Sequence, residues 1–82
     1  MDNEYDNRFD GKNVYEYARA TQAVYEIKGN RLHEYMRATQ AKYEIRGDYV
    51  YEFMRATQPV YDMRGNKLHE HMRATQAIYE IR

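Results

Sequence analysis

The 82-residue chain contains no cysteine, no serine and no tryptophan, and a single proline. Without cysteine there are no disulfides and no thiolate metal ligands, and without serine as well the two commonest protein nucleophiles are missing. Leu, Ile, Val and Phe together number only 12, a scarcity that often accompanies disorder. Disorder, however, couples low hydrophobicity to high net charge, whereas here 13 basic residues balance 13 acidic ones. No apolar run approaches the roughly 18 residues of a membrane-spanning helix, and the acidic start does not read as a signal peptide. The expectation is a chain outside the membrane, cytoplasmic by default. What the chain does have is ten tyrosines and five methionines, which supply apolar area that the aliphatic residues do not. At this length one small domain is the limit, near the size at which a single core is marginal.

Self-comparison reveals four units. Gly11, Gly29, Gly47 and Gly65 stand 18 residues apart, and each opens a closely similar segment, giving units 11–28, 29–46, 47–64 and 65–82. Arg-Ala-Thr-Gln recurs unchanged in all four, beginning at Arg19, Arg37, Arg55 and Arg73. Residues 1–10 lie outside the repeat and carry four acids against Arg8. This acidic lead reads either as an extra edge strand, with Tyr5-Asp6 a worn half-unit, or as a frayed end.

Each unit reads as a β-hairpin. A helical stripe through Leu32, Tyr35, Met36, Thr39 and Tyr43 competes, but Ile45 and Met63 fall off it and Pro59 would break the third helix. Gly29-Asn30, Gly47-Asp48 and Gly65-Asn66 are two-residue turns flanked by alternating strands, with glycine supplying the positive φ that primed turns require. A turn at Gly29-Asn30 pairs Ile27 with Leu32 on one face. A second turn at Thr39-Gln40 would pair Met36 with Tyr43 and Ala38 with Ala41. One face then collects Ile27, Leu32, Met36, Tyr43, Ile45, Val50, Met54, Tyr61, Leu68 and Met72. The other collects Tyr17, Arg19, Tyr35, Arg37, Phe53, Arg55 and Arg73. A parallel solenoid is disfavoured, because it would stack the four arginines into a ladder of like charge.

The fold expected is therefore all-β, an antiparallel meander of about eight strands of about seven residues. Such a meander can stay open or close. Placing the second turn at Thr-Gln accumulates a stagger of eight over four units, compatible with a small closed up-and-down barrel. Yet Glu16, Glu34, Glu52 and Glu70 share the apolar face, and sealing four carboxylates in a barrel would cost several kcal/mol unless each is paired. This favours an open single sheet whose apolar face is covered by a second copy. The chain's partner would then be itself, as a homodimer or higher oligomer.

Tyr61-Asp62-Met63-Arg64-Gly65-Asn66, then Leu68, resembles the Tyr-Asp-x-x-Gly core of bacterial RHS or YD repeats. Tyr43-Glu44-Ile45-Arg46-Gly47-Asp48 and Tyr25-Glu26-Ile27-Lys28-Gly29-Asn30 are similar, with Glu for Asp. The resemblance covers three turns of about six residues each, lacks the family's second glycine, and implies a strand-turn-strand unit. RHS shells enclose cargo with dozens of hairpins, and four cannot.

No residue is singled out for catalysis, since the acids outside the first ten residues, apart from the turn residue Asp48, recur at equivalent positions. Thr21, Thr39, Thr57 and Thr75 sit beside Gln and read as turn formers. His69 and His71 would project from one strand face, but no third metal ligand is evident, so no metal site and no cofactor are assigned. Tyr17, Tyr35 and Phe53 interleave with Arg19, Arg37, Arg55 and Arg73 as a candidate binding face for a glycan or a protein. Near-neutral charge argues against a nucleic-acid footprint. The function expected is non-enzymatic: a self-associating structural repeat or, alternatively, a ligand-binding scaffold.

Overall fold

The computed structural model describes residues 7–19, 22–37, 40–54, 58–73 and 76–82. It contains eight short strands: β1 Asn13–Glu16, β2 Tyr25–Lys28, β3 Arg31–Glu34, β4 Tyr43–Arg46, β5 Tyr49–Glu52, β6 Tyr61–Arg64, β7 Lys67–Glu70 and β8 Tyr79–Ile81. Each strand pairs antiparallel with its chain neighbours, and β8 pairs with β1 to close a barrel. The hairpin turns form where glycine predicts them, with Ile27 opposite Leu32, Ile45 opposite Val50 and Met63 opposite Leu68.

The open sheet is corrected to the closed barrel, and the register explains why. Leu32 pairs with Ile27 on one side and with Tyr43 on the other, so Tyr43, not the repeat-equivalent Ile45, stands level with Ile27. Each unit therefore steps two residues along the strands relative to the one before. Four such steps make a stagger of about eight, with which an eight-stranded sheet can close. The seam reproduces the hairpin register: Val14 opposes Ile81 and Glu16 opposes Tyr79. Backbone hydrogen bonds between Asn13 and Arg82 complete it, at 3.0 and 2.8 Å.

The second turn also comes earlier than expected. Glu34 accepts a backbone hydrogen bond from Arg37 at 3.2 Å, and Glu70 one from Arg73. These turns put Met36, Met54, Met72 and the equivalent Ala18 in the left-handed region, with φ between 60° and 67°. The strands therefore end at the glutamates after three or four residues instead of about seven. Met36 does not oppose Tyr43, and Ala38 and Thr39 lie outside the described residues.

The interior follows from the alternation. From the hairpin-turn end upward, the register stacks Ile27, Ile45, Met63 and Ile81, then Val14, Leu32, Val50 and Leu68, then Tyr25, Tyr43, Tyr61 and Tyr79. The first eight are buried in one cluster and the tyrosines pack half-buried on top of it. Glu16, Glu34, Glu52 and Glu70 come next and emerge at the rim, Glu16 and Glu70 half exposed. The carboxylates that argued against closure are thus outside the sealed core. Buried Asn30 donates from Nδ2 to the Ile45 carbonyl at 3.0 Å, and Asn66 donates likewise to Ile81. Each clasps its turn to the next hairpin.

Residues 7–12 cross the hairpin-turn end of the barrel. Phe9 packs against the core, the Asp10 carboxylate accepts from the Gly29 amide at 2.7 Å, and the Arg8 guanidinium donates to the Gly47 carbonyl. This part of the lead is a plug of turns and not an edge strand; residues 1–6, with Tyr5-Asp6, lie outside the described residues.

Candidate functional site

The opposite end of the barrel, where the inter-hairpin connections lie, carries the unconsumed chemistry. Its floor is a ring of four phenols. Tyr25, Tyr43, Tyr61 and Tyr79 meet edge to face around the barrel, with successive centroids 5.6, 5.8, 5.7 and 6.0 Å apart, an arrangement that suits the aromatic quadrupole. Burial pushes the Tyr25 and Tyr61 hydroxyls well above the usual phenol range, reinforced by the neighbouring phenols and hydrogen bonds among them. The ring closes the core.

Around it stand the glutamates and the arginines three residues beyond them. Arg19 reaches Glu16 at 3.8 Å, Arg37 reaches Glu34 at 3.9 Å and Arg73 reaches Glu70 at 3.8 Å. The arginines are about two-thirds exposed, so these pairs are weak and remain able to engage other groups.

Between turns and connections lie open clefts that repeat around this end. One, of about 310 Å³, is lined by Gln22, Ala23, Val24, Tyr25, Glu34, Tyr35 and Arg37. Another, of about 250 Å³, is lined by Glu16, Tyr17, Arg19, Ile78 and Tyr79. A third, of about 410 Å³, is lined by Gln58, Pro59, Val60, Glu70, His71 and Arg73. Glu34 with Gln40, Ala41 and Lys42 lines a fourth, of about 310 Å³.

The candidate binding residues are thus partly gathered. Tyr17 with Arg19 and Tyr35 with Arg37 line one cleft each, and Arg73 lines a third. They form separate clefts and not one continuous face. Phe53 lies beneath the Arg31 guanidinium, 4.9 Å from its ring centre, and Arg55 lies outside the described residues. Outside the clefts, Arg82 covers Tyr15 and Arg46 covers Tyr51, cation–π contacts that hold the outer wall.

The proposed self-association face divides. Ile27, Leu32, Ile45, Val50 and Leu68 are buried inside the barrel, and Tyr43 and Tyr61 belong to the phenol ring, so the wall of the same chain covers the face assigned to a second copy. Met36, Met54 and Met72 leave that face altogether. They are 77%, 80% and 82% exposed at the tips of the turns. No group of three His, Asp or Glu among the described residues is placed to hold a metal ion.

Sequence reasoning missed one constellation. His71 Nδ1 lies 2.6 Å from the Asp62 carboxylate, whose second oxygen accepts from the Met72 amide at 3.2 Å. The hydrogen bond from His71 holds the Asp62 carboxyl below the usual carboxylate range. Tyr49 packs edge-on against the imidazole at 5.8 Å. Asp62 stands where the other units have Glu26, Glu44 and Glu80, and His71 where they have Tyr17, Tyr35 and Phe53. These departures from the repeat were visible in the sequence, but their contact was not.

Comparison with protein-family models, curated proteins and solved structures finds no match. The RHS-like resemblance therefore rests on the turn residues alone.

Proposed function

We propose that this chain is a non-enzymatic recognition module that holds a glycan or protein ligand in the clefts at the connection end of its barrel. The observation that carries the reading is recurrence. Glu, an aromatic or His, and Arg line one cleft as Glu34, Tyr35 and Arg37, another as Glu16, Tyr17 and Arg19, and a third as Glu70, His71 and Arg73. Each trio combines a hydrogen-bond acceptor, a flat ring and a charged fork of donors, the groups with which proteins bind polar ligands. Several equivalent weak sites on one rigid body favour avidity over chemistry, and the strands supporting them fix their geometry.

The test is retention on arrays of oligosaccharides and of immobilised proteins. Arg19→Ala, Arg37→Ala and Arg73→Ala combined should lower retention at least tenfold, while the circular dichroism spectrum and melting curve stay those of the parent. Retention unchanged by the triple substitution would overturn the reading.

Self-association persists as a second reading, on a different surface. The exposed Met36, Met54 and Met72 ring the same end, and flexible methionine side chains suit adaptable protein contacts. Light scattering on the same samples separates the two readings. A dimer mass lost with Met→Glu substitutions, with ligand retention intact, would support this second role.

A further inference from the structure

Three departures from the repeat meet at one place. Pro59 replaces the alanine found at Ala23, Ala41 and Ala77; Asp62 replaces Glu26, Glu44 and Glu80; His71 replaces Tyr17, Tyr35 and Phe53. His71 lies in the unit after the one that holds Pro59 and Asp62, yet Pro59 and His71 line the same cleft, and Asp62 holds the imidazole of that cleft from the strand beside it. Strand pairing places Asp62 between Tyr49 and His69, and Tyr49, the ring that braces His71, is itself peculiar to its unit. These changes converge on one cleft, the largest of the four at about 410 Å³.

We infer that this cleft is the principal ligand site of the module and that it takes a neutral polyhydroxyl ligand, a pyranose unit of a glycan. The inference rests on the recognition reading above. Its chemistry follows from the lining. Asp62 accepts from His71 Nδ1, which leaves Nε2 as the ring's remaining hydrogen-bonding atom. The Glu70 carboxylate is an acceptor, the Arg73 guanidinium supplies donors, and the Gln58 amide supplies both.

A sugar hydroxyl donates and accepts at once, which this mixture satisfies. An anion would meet Glu70, with Asp62 behind the imidazole, and a cation would meet Arg73. Pro59 and Val60 provide an apolar wall for the C–H face of a ring. Pro59 also has a fixed φ, and the imidazole is clamped by Asp62 and Tyr49. This cleft is therefore pre-organised, which reduces the entropy lost on binding.

The repeat supplies a conservative test. Pro59→Ala, Asp62→Glu and His71→Tyr together give this cleft residues that other units already use, so the variant is expected to fold and melt like the parent. The probes are an array of neutral oligosaccharides (glucans, mannans and galactans), the same array sulfated, and a panel of immobilised proteins. Arg46→Ala, on the outer wall over Tyr51 and away from the clefts, serves as the control.

The expected result is retention on neutral oligosaccharides that falls at least tenfold in the triple variant, the loss of one or two good hydrogen bonds. Arg46→Ala should then change it less than twofold. Neutral glycans held equally by parent and triple variant would overturn the inference while leaving the module reading intact. Capture of sulfated glycans or proteins alone would do the same. No retention on any probe would overturn both.

Discussion

The two ends of this barrel are built from the same repeat and solve the same backbone problem in opposite ways. Both need residues at positive φ. At the hairpin end, Gly11, Gly29, Gly47 and Gly65 supply it, with no Cβ to strain. At the connection end, Met36, Met54, Met72 and Ala18 adopt it with side chains attached, at a cost of roughly 1–2 kcal/mol per residue. The hairpin end is also plugged by Phe9 and clasped by Asn30 and Asn66, whereas the connection end presents open clefts, weak ion pairs and exposed methionines. One end is settled for stability; the other retains strain and exposure where binding is proposed.

The sharpest break in this comparison falls within a single strand. Leu32 and Glu34 lie two residues apart on the same face of β3, one buried in the core and the other at the rim. Leu32→Ala should cost roughly 2–5 kcal/mol in chemical denaturation, and Leu32→Asp should abolish the cooperative transition. Glu34→Ala should change stability by less than about 1 kcal/mol. Comparable losses at both positions would show that the layers are misassigned.

That contrast also marks where sequence reasoning reached and where it stopped. The period-two alternation placed Ile27, Leu32, Ile45, Val50 and Leu68 on one face, and closure does not disturb that parity. Alternation alone also ran straight through Glu34 to Met36, because nothing in the local pattern announces a turn whose left-handed residue is methionine. With the strands read three residues too long, the glutamates fell inside a closed barrel, and an open sheet became the cheaper solution. The sign and size of the stagger depend on which residue ends each strand, information held in tertiary closure and not in propensity. The Asp62–His71 contact was hidden for a related reason. It joins a strand residue to one two positions beyond its direct partner His69, an offset that appears only when β7 ends in its turn.

The phenol ring extends the comparison to pH. Tyr25 and Tyr61 hold their protons more tightly in the folded barrel than in the unfolded chain. A raised folded-state pKa contributes stability that is fully present below the unfolded value near 10 and is lost as pH rises beyond it. The barrel should therefore lose stability progressively above about pH 10. In an ultraviolet titration, two of the phenols should ionise late, with the unfolding transition or after the outward-facing tyrosines. Tyr25→Phe with Tyr61→Phe should remove the late component. Ten tyrosines titrating together in the native protein would contradict the ring.

The smallest expected effect carries the comparison between the ends most directly, because its two arms have opposite signs. Gly65, at φ 64°, has open space where a Cβ would sit, so Gly65→Ala introduces left-handed strain without a clash. It should destabilise the barrel by about 1 kcal/mol. Met54, at φ 67° and 80% exposed, buries little side-chain area, so Met54→Gly removes strain at small cost in contacts. The greater freedom of glycine in the unfolded chain offsets part of that gain, leaving an expected stabilisation of up to about 1 kcal/mol. Thermal denaturation of the two single variants reads both signs. If Met54→Gly destabilises as Gly65→Ala does, the methionine backbone is at ease and the connection end stores no strain. If the signs oppose, the chain keeps a methionine where glycine would fold better, which is the pattern of a residue retained for what it touches.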